Sequence, residues 1–271
     1  MPVRRLLFAF LLFLLAAGAF GQTRGKQSPS RRSAASTKLQ HITRAFVASA
    51  ELKPMAQQLL ANRTPQAYAG VESYARSHQK DDAGPLAWLV LGYAHYLDKD
   101  YAKAQAAWQS AGSVSPLLGD YLDYLRALAY HDADDQASVL KVLDGFERKY
   151  PDSLYLHESA LLYAGALTAT GSPRVAVAYL EKRRDPLRAD TELLLGRAYA
   201  ASGEKAKATD VFRRIYFEMP MLGEAEAASV ELQSLGETPP AGTFAQRRLR
   251  AGLLLKGKRY QQAVTEYSPL V

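Results

Sequence analysis

The chain has 271 residues, of which 48% are hydrophobic and 23% are charged, and it contains no cysteine. This composition supplies enough apolar material for a folded core and is not that of a disordered chain. Without cysteine, disulfides, thiolate zinc sites, cysteine nucleophiles and a lipid anchor on cysteine are excluded. The formal charge of +7 favours attraction to anions, but it does not predict a specific nucleic-acid partner.

The first residues have the layout of an export signal. Arg4 and Arg5 precede an apolar run that begins at Leu6, and small residues follow it as far as Gly21. This order predicts a secretory signal peptide over residues 1–21. An uncleaved anchor is the alternative, although the run is short for a membrane span of about 20 residues. We therefore expect a secreted or periplasmic protein with no stable membrane anchor after signal cleavage.

A polar segment without acidic residues follows the signal peptide. Residues 22–38 carry five basic side chains and little apolar material. This composition predicts a basic polar linker, and contact with an anionic surface is the alternative.

From Leu39 onward the patterns are helical, and no period-2 strand pattern is convincing. Evenly spaced prolines punctuate this region, because proline is common just past the end of a helix. Their separations are 35, 35 and 34 residues, at Pro116, Pro151, Pro186 and Pro220. The spacing predicts a repeating helical unit.

The clearest unit is the stretch 189–220. Leu195 and Tyr199 lie on the apolar face of a first helix, Gly203 breaks it, and Phe212 lies on a second helix. Gly196 is small where the two helices would approach closely, and Phe212 would fill the space beside it. This pattern predicts a helical hairpin.

Further copies of the hairpin are less regular. The unit that ends at Pro116 matches well, with Gly92 and Trp108 in corresponding positions. Other predicted segments are the helices 38–52, 55–61 and 65–77, the units 120–151 and 157–186, a helix over 224–235, a turn or short linker over 236–242 and a last unit from Phe244. The end of the sequence does not read as a polar capping helix, so we expect the array to be truncated at its C-terminus.

The repeat length and these residues resemble the tetratricopeptide repeat, a helix–turn–helix unit of about 34 residues. The resemblance implies an all-α fold, a tetratricopeptide-like α-solenoid in which helical hairpins form a superhelical array over residues 39–271. In such arrays the first helix of each hairpin lines a groove. The resemblance therefore implies groove-binding candidates at Tyr93, Tyr96, Tyr121, Tyr124 and Arg197. Packing in the core is the alternative for each of these residues.

Several stretches within residues 85–271 are similar to the helical superdomain of soluble lytic murein transglycosylases. The matching residues include Leu118, Asp120, Tyr121, Tyr124, Tyr199, Gly203, Ala208, Phe212, Ile215, Arg247, Arg250, Ala251, Tyr260 and Tyr267. In that family a separate C-terminal lysozyme-like domain cleaves peptidoglycan, and nothing in this sequence matches that domain. The resemblance implies the non-catalytic part of such a protein.

Motifs of the common enzyme classes are missing from the sequence. It has no HExxH, GxSxG, Walker loop or GxGxxG, and its five histidines are scattered, so we predict no catalytic residue, metal site or cofactor. A Glu-Ser pair at Glu158 and Ser159 is similar to the pair around the catalytic acid of lytic transglycosylases. The apolar helix face that follows it favours a packing role instead.

Two hypotheses about function remain open from the sequence. The first is a non-catalytic helical-repeat scaffold of a secreted or periplasmic peptidoglycan lytic transglycosylase, which binds cell wall or partner proteins. The second is a stand-alone tetratricopeptide scaffold for protein–protein interaction in the cell envelope. The expected partner is peptidoglycan or a protein or peptide, and not a specific nucleic acid.

Overall fold

The structure is a computed structural model that describes residues 50–81, 83–112, 118–237, 240 and 242–270. All regular elements in these ranges are helices, which pack on their sequence neighbours as in an α-solenoid. The predicted all-α solenoid class is confirmed. The predicted signal peptide, the basic linker, Pro116 and nearly all of the helix expected over 38–52 lie outside the described residues.

The first compact unit reaches Ala129. Its helices are α1 (Leu52–Asn62), α2 (Pro65–Ser77), α3 (Ala83–Leu97), α4 (Tyr101–Ser110) and α5 (Gly119–Asp132), the last of which continues into the second unit. Each of α1 to α3 packs on the next helix. The Thr64 side chain accepts a hydrogen bond from the Ala67 N–H, and Pro65 occupies the first position of α2, which explains why α2 begins there. The helix predicted over 65–77 is therefore confirmed.

The second compact unit begins at Tyr130. Its helices are α6 (Gln136–Leu143), α7 (Phe146–Lys149), α8 (Leu156–Ala169), α9 (Pro173–Glu181), α10 (Ala189–Ala201), α11 (Lys205–Glu218), α12 (Glu224–Ser234), α13 (Phe244–Lys256) and α14 (Tyr260–Tyr267), followed by a 3₁₀ turn over Ser268–Leu270. The pairs α8–α9, α10–α11 and α13–α14 form helical hairpins, and α12 packs on both α10 and α11. The core of this unit joins residues of α8 to α12.

One turn geometry recurs in both units. The N–H of Gly203, which has a φ of 87°, donates to the Ala200 carbonyl at 3.1 Å, and the N–H of Glu204 donates to the Tyr199 carbonyl at 2.9 Å. This pair of bonds is a Schellman motif, which satisfies the last carbonyls of a helix. The same two bonds recur around Lys99, Asp134, Gly171, Gly236 and Lys258, each of which also has a positive φ. The hairpins are thus built on one repeated turn.

In the α3–α4 pair and in the α10–α11 pair, the two helices meet where a glycine of the first helix faces an aromatic ring of the second. A Cβ added to Gly196 would lie 2.4 Å from Cε1 of Phe212, and one added to Gly92 would lie 2.2 Å from Nε1 of Trp108. Real Cβ atoms do not approach other heavy atoms so closely, and a ring in a packed core has little room to withdraw. The close approach predicted at Gly196 is confirmed.

Prolines follow helix ends as the sequence predicts. Pro151 comes shortly after α7, Pro186 lies in the loop between α9 and α10, and Pro220 follows the end of α11 at Glu218. The helix predicted over 224–235 is α12, which ends one residue earlier at Ser234. The turn after α12, at Gly236, has the same Schellman hydrogen bonds as the hairpin turns. The next described helix, α13, packs on α11.

Candidate functional site

Side chains link three helices of the second unit, α8, α10 and α12, along one surface. His157 Nε2 on α8 is 2.8 Å from Asp190 Oδ2 on α10. The Arg197 Nε–H on α10 donates to Glu231 Oε1 on α12 at 2.6 Å. We call the surface marked by these four residues the inner-helix face. Their side chains are all at least partly open to solvent, so this face can meet a ligand.

Asp190 is the most heavily hydrogen-bonded residue of the inner-helix face. It faces His157 on the neighbouring helix, Arg188 reaches it from the preceding loop, and the Thr191 N–H donates to it at 2.7 Å. Burial acts to raise the pKa of Asp190, but the hydrogen bonds from His157 and Arg188 outweigh it and hold that pKa below its ordinary value. The Asp190 carboxylate is therefore held ionised and fixed in position.

Arg197 is the one groove candidate on the inner-helix face. Its side chain is 48% exposed even though its Nε–H is paired with Glu231. An arginine carries five N–H donors, so the single bond to Glu231 leaves capacity for hydroxyl or carboxylate groups of a ligand. Arg197 is thus half exposed on α10, and its groove role stays a prediction.

The four candidate tyrosines have a different setting. Tyr93, Tyr96, Tyr121 and Tyr124 are each at most 6% exposed. The Tyr96 ring lies 6.2 Å from the Tyr93 ring and 6.5 Å from the Trp108 ring, measured between centroids. This burial is what the packing alternative requires. A binding role for these rings stays a prediction, and it would need them to become exposed.

The sequence did not predict a buried charge at Glu192. This side chain is fully buried on α10 and accepts two hydrogen bonds from Arg184, at 2.6 and 2.8 Å, and a third from Arg214 at 3.2 Å. Arg184 precedes α10 and Arg214 lies on α11, so one carboxylate ties the loop to the hairpin. Glu192 is closed to ligands and has a structural role.

A second exposed surface lies on the last hairpin. Helices α13 and α14 carry five large apolar side chains that are between 47% and 62% exposed: Phe244, Leu249, Leu255, Tyr260 and Val264. Residues 244–270 contain six basic side chains and one acidic side chain, a net charge of +5. An exposed apolar patch of this kind commonly marks an interaction site. The helical pattern alone could not reveal it, because exposure depends on what packs against the hairpin.

Among the described residues, no three His, Asp or Glu side chains are grouped so that they could hold a metal ion. In the same ranges, no helix combines the length and hydrophobicity that crossing a bilayer requires.

The Glu158–Ser159 pair lies in the first turn of α8, where Ser159 is buried.

No family model matches the chain, and no curated protein matches it. The similarities to tetratricopeptide repeats and to lytic transglycosylases therefore depend on the sequence positions given above, and both stay predictions.

Proposed function

We propose that the protein is a non-catalytic helical-repeat scaffold of a secreted or periplasmic peptidoglycan lytic transglycosylase, and that it binds cell wall or partner proteins. The observation that carries the proposal is the inner-helix face. It aligns the three helices α8, α10 and α12 and offers fixed charged groups, Asp190 and Arg197, on an accessible surface. Such a face suits an extended ligand that runs across several repeats.

The chemistry of the inner-helix face fits a polymer with hydroxyl, amide and carboxylate groups. Arg197 can donate to carboxylates and hydroxyls, and Asp190 can accept from hydroxyls and amides. The positive charge of the whole chain adds attraction to anionic cell-wall polymers. Peptidoglycan presents all of these groups along a repeating strand.

Retention on purified peptidoglycan sacculi tests this proposal. We expect the full chain to sediment with sacculi and to remain bound when salt is raised from about 50 mM to about 300 mM, because hydrogen bonds add to the screened attraction. Arg197→Ala should reduce retention, whereas Arg76→Ala, which removes an exposed arginine of the first unit, should not. Full elution at moderate salt, or equal retention of the two variants, would contradict wall binding at this face. Release of soluble fragments from the sacculi would contradict the non-catalytic part of the proposal.

The exposed apolar surface of α13 and α14 favours a second candidate function. A stand-alone tetratricopeptide scaffold in the cell envelope would use this surface for a protein partner. Crosslinking in cells of origin should then capture a protein on residues of α13 or α14, with no retention on sacculi. Retention on sacculi without any protein crosslink would favour the first candidate.

A further inference from the structure

The α13–α14 hairpin can be aligned with the α10–α11 hairpin by structure. The left-handed turn residues Gly203 and Lys258 are 55 positions apart. At the same offset, buried Tyr199 corresponds to buried Leu254, and buried Ala208 to buried Ala263. The two hairpins therefore share one register, and their other positions can be compared residue by residue.

The comparison shows what covers this surface in the α10–α11 hairpin. Ala189 is buried, and Leu193 and Ala200 pack against the core cluster to which α12 contributes Ala225, Ala228 and Leu232. Helix α12 contacts both α10 and α11. A helix with two alanines and a leucine on one side thus seals the α10–α11 hairpin.

The corresponding surface of the last hairpin is open. Phe244, Arg248 and Leu255 stand at the positions of Ala189, Leu193 and Ala200, and all three are exposed. Val264 on α14 is also exposed, at the position of Thr209. We call Phe244, Arg248, Leu255 and Val264 the α13–α14 face. In the part of the chain that the structure describes, no helix occupies it as α12 occupies the preceding one.

Charge indicates which kind of helix would fit. Residues 189–218 contain five acidic and five basic side chains, whereas residues 244–270 carry a net charge of +5. The covering segment 224–237 contains four acidic side chains and no basic one, and it pairs Glu231 with Arg197 and Glu237 with Arg213. The positive charge of residues 244–270 lies beside the exposed apolar side chains of the α13–α14 face, so an acidic amphipathic helix would be complementary to this surface.

We infer that the α13–α14 face binds an acidic amphipathic α-helix of a partner protein, seated as α12 is seated on α10 and α11. The partner helix presents apolar residues at positions i, i+3 and i+7 toward Leu255 and Val264, as α12 does with two alanines and a leucine, and it presents glutamates toward the basic residues of the hairpin. The inference rests on the second candidate function, the stand-alone scaffold that uses this surface for a protein partner, and it names the chemistry of that partner. It does not depend on wall binding by the inner-helix face.

A peptide with the sequence of residues 224–237, blocked at both ends, is the probe. Fluorescence anisotropy with the full chain should show saturable binding that weakens as salt is raised. We expect the double variant Leu255→Gln, Val264→Gln to bind it at least about tenfold more weakly, because the central apolar contacts of an interface carry most of its affinity. Val230→Gln, which changes an exposed valine on α12, should bind as the wild type does and is the matched control.

A second peptide, in which glutamine replaces all four glutamates, tests the charge argument, and we expect it to bind more weakly than the acidic peptide at low salt. Equal binding of the acidic peptide to wild type and to the double variant would overturn the inference, since the peptide would then bind outside the α13–α14 face. No binding, a face-dependent attachment to vesicles of anionic lipid, or a self-association that the double variant abolishes would overturn it too. Retention on sacculi is measured on the same variants: if it persists when peptide binding fails, only this inference falls.

Discussion

The α10–α11 and α13–α14 hairpins are the same structure in two different surroundings. Both close with the same Schellman turn, and both bury a small residue on the first helix, Gly196 in one and Ala251 in the other. They differ in their cover, because α12 seals the first hairpin whereas the second keeps large apolar side chains in solvent. The difference teaches that a hairpin is specified by its own residues, while the use of its outer surface is set by what packs on it.

The contact between Gly196 and Phe212 should give the largest effect when it is broken. Gly196→Leu would place a side chain where even a Cβ lies 2.4 Å from the ring, so we expect the free energy of unfolding to fall by roughly 1–3 kcal/mol or more. Chemical denaturation measures this. Gly165→Ala in α8, where an added Cβ meets nothing within 4 Å, should be neutral or slightly stabilising. An unchanged free energy of unfolding for Gly196→Leu would contradict the close contact.

Loss of the Glu192 carboxylate should give the next largest effect. Glu192→Ala removes three charged hydrogen bonds from inside the α10–α11 hairpin, and we expect a loss of about 1.5–3 kcal/mol, since Arg184 and Arg214 can still turn toward water. Glu226→Ala on the exposed side of α12 is the control and should change the free energy of unfolding little. The corresponding residue of α13 is Arg247, and the last hairpin instead uses Glu266 of α14, a largely buried carboxylate that accepts hydrogen bonds from Arg250 and Tyr216. Equal losses in the two variants would show that Glu192 does not tie the loop to the hairpin.

The Tyr199 hydroxyl should make the stability of the α10–α11 hairpin sensitive to alkaline pH. Burial, together with the hydrogen bond that the hydroxyl donates to Glu181, raises the pKa of Tyr199 from 10.0 to about 12. A raised pKa means that this contribution is complete below pH 10 and is lost as pH rises toward 12. Denaturation followed across that window should therefore show a smaller decline for Tyr199→Phe than for wild type. Parallel declines would contradict the assignment. The matching position of α13 holds Leu254, which has no hydroxyl to titrate.

The Arg197–Glu231 ion pair should contribute least to stability. Its arginine is about half exposed, so we expect Arg197→Ala to cost only about 0.2–1 kcal/mol, and less at high salt. The same variant should weaken retention on sacculi, which separates a binding role from a structural one. A stability loss as large as that of Glu192→Ala would mean that the pair is needed to hold α12 in place, and Arg197 would then be a packing residue.

The hairpins could be predicted from the sequence because their determinants are local. Gly196, Gly203 and Phe212 act on each other within one unit, and helical periodicity places them without knowledge of the remainder. The setting of Glu192 could not be predicted, since Arg184 and Arg214 reach it from 8 and 22 residues away along the chain.

The surfaces were harder to predict than the hairpins for a physical reason. Tyr93 and Tyr124, which the tetratricopeptide resemblance assigns to a groove, are buried, and Phe244 is exposed at a position that is buried in α10. Helical periodicity says which residues share a side of a helix, but burial depends on the neighbouring helix. The inner-helix face was predicted only through Arg197.

The central claim is that α12 covers the α10–α11 hairpin, whereas no described helix covers the equivalent surface of α13–α14. Native-state hydrogen exchange on the full chain tests this claim most directly. We expect amides around Leu195 in α10 to exchange slowest and those around Leu254 in α13 to exchange at least about tenfold faster. We expect the acidic peptide to slow amide exchange in α13 and α14 alone. Equal protection of the two hairpins without the peptide, or peptide-induced protection spread over α10 and α11, would contradict it.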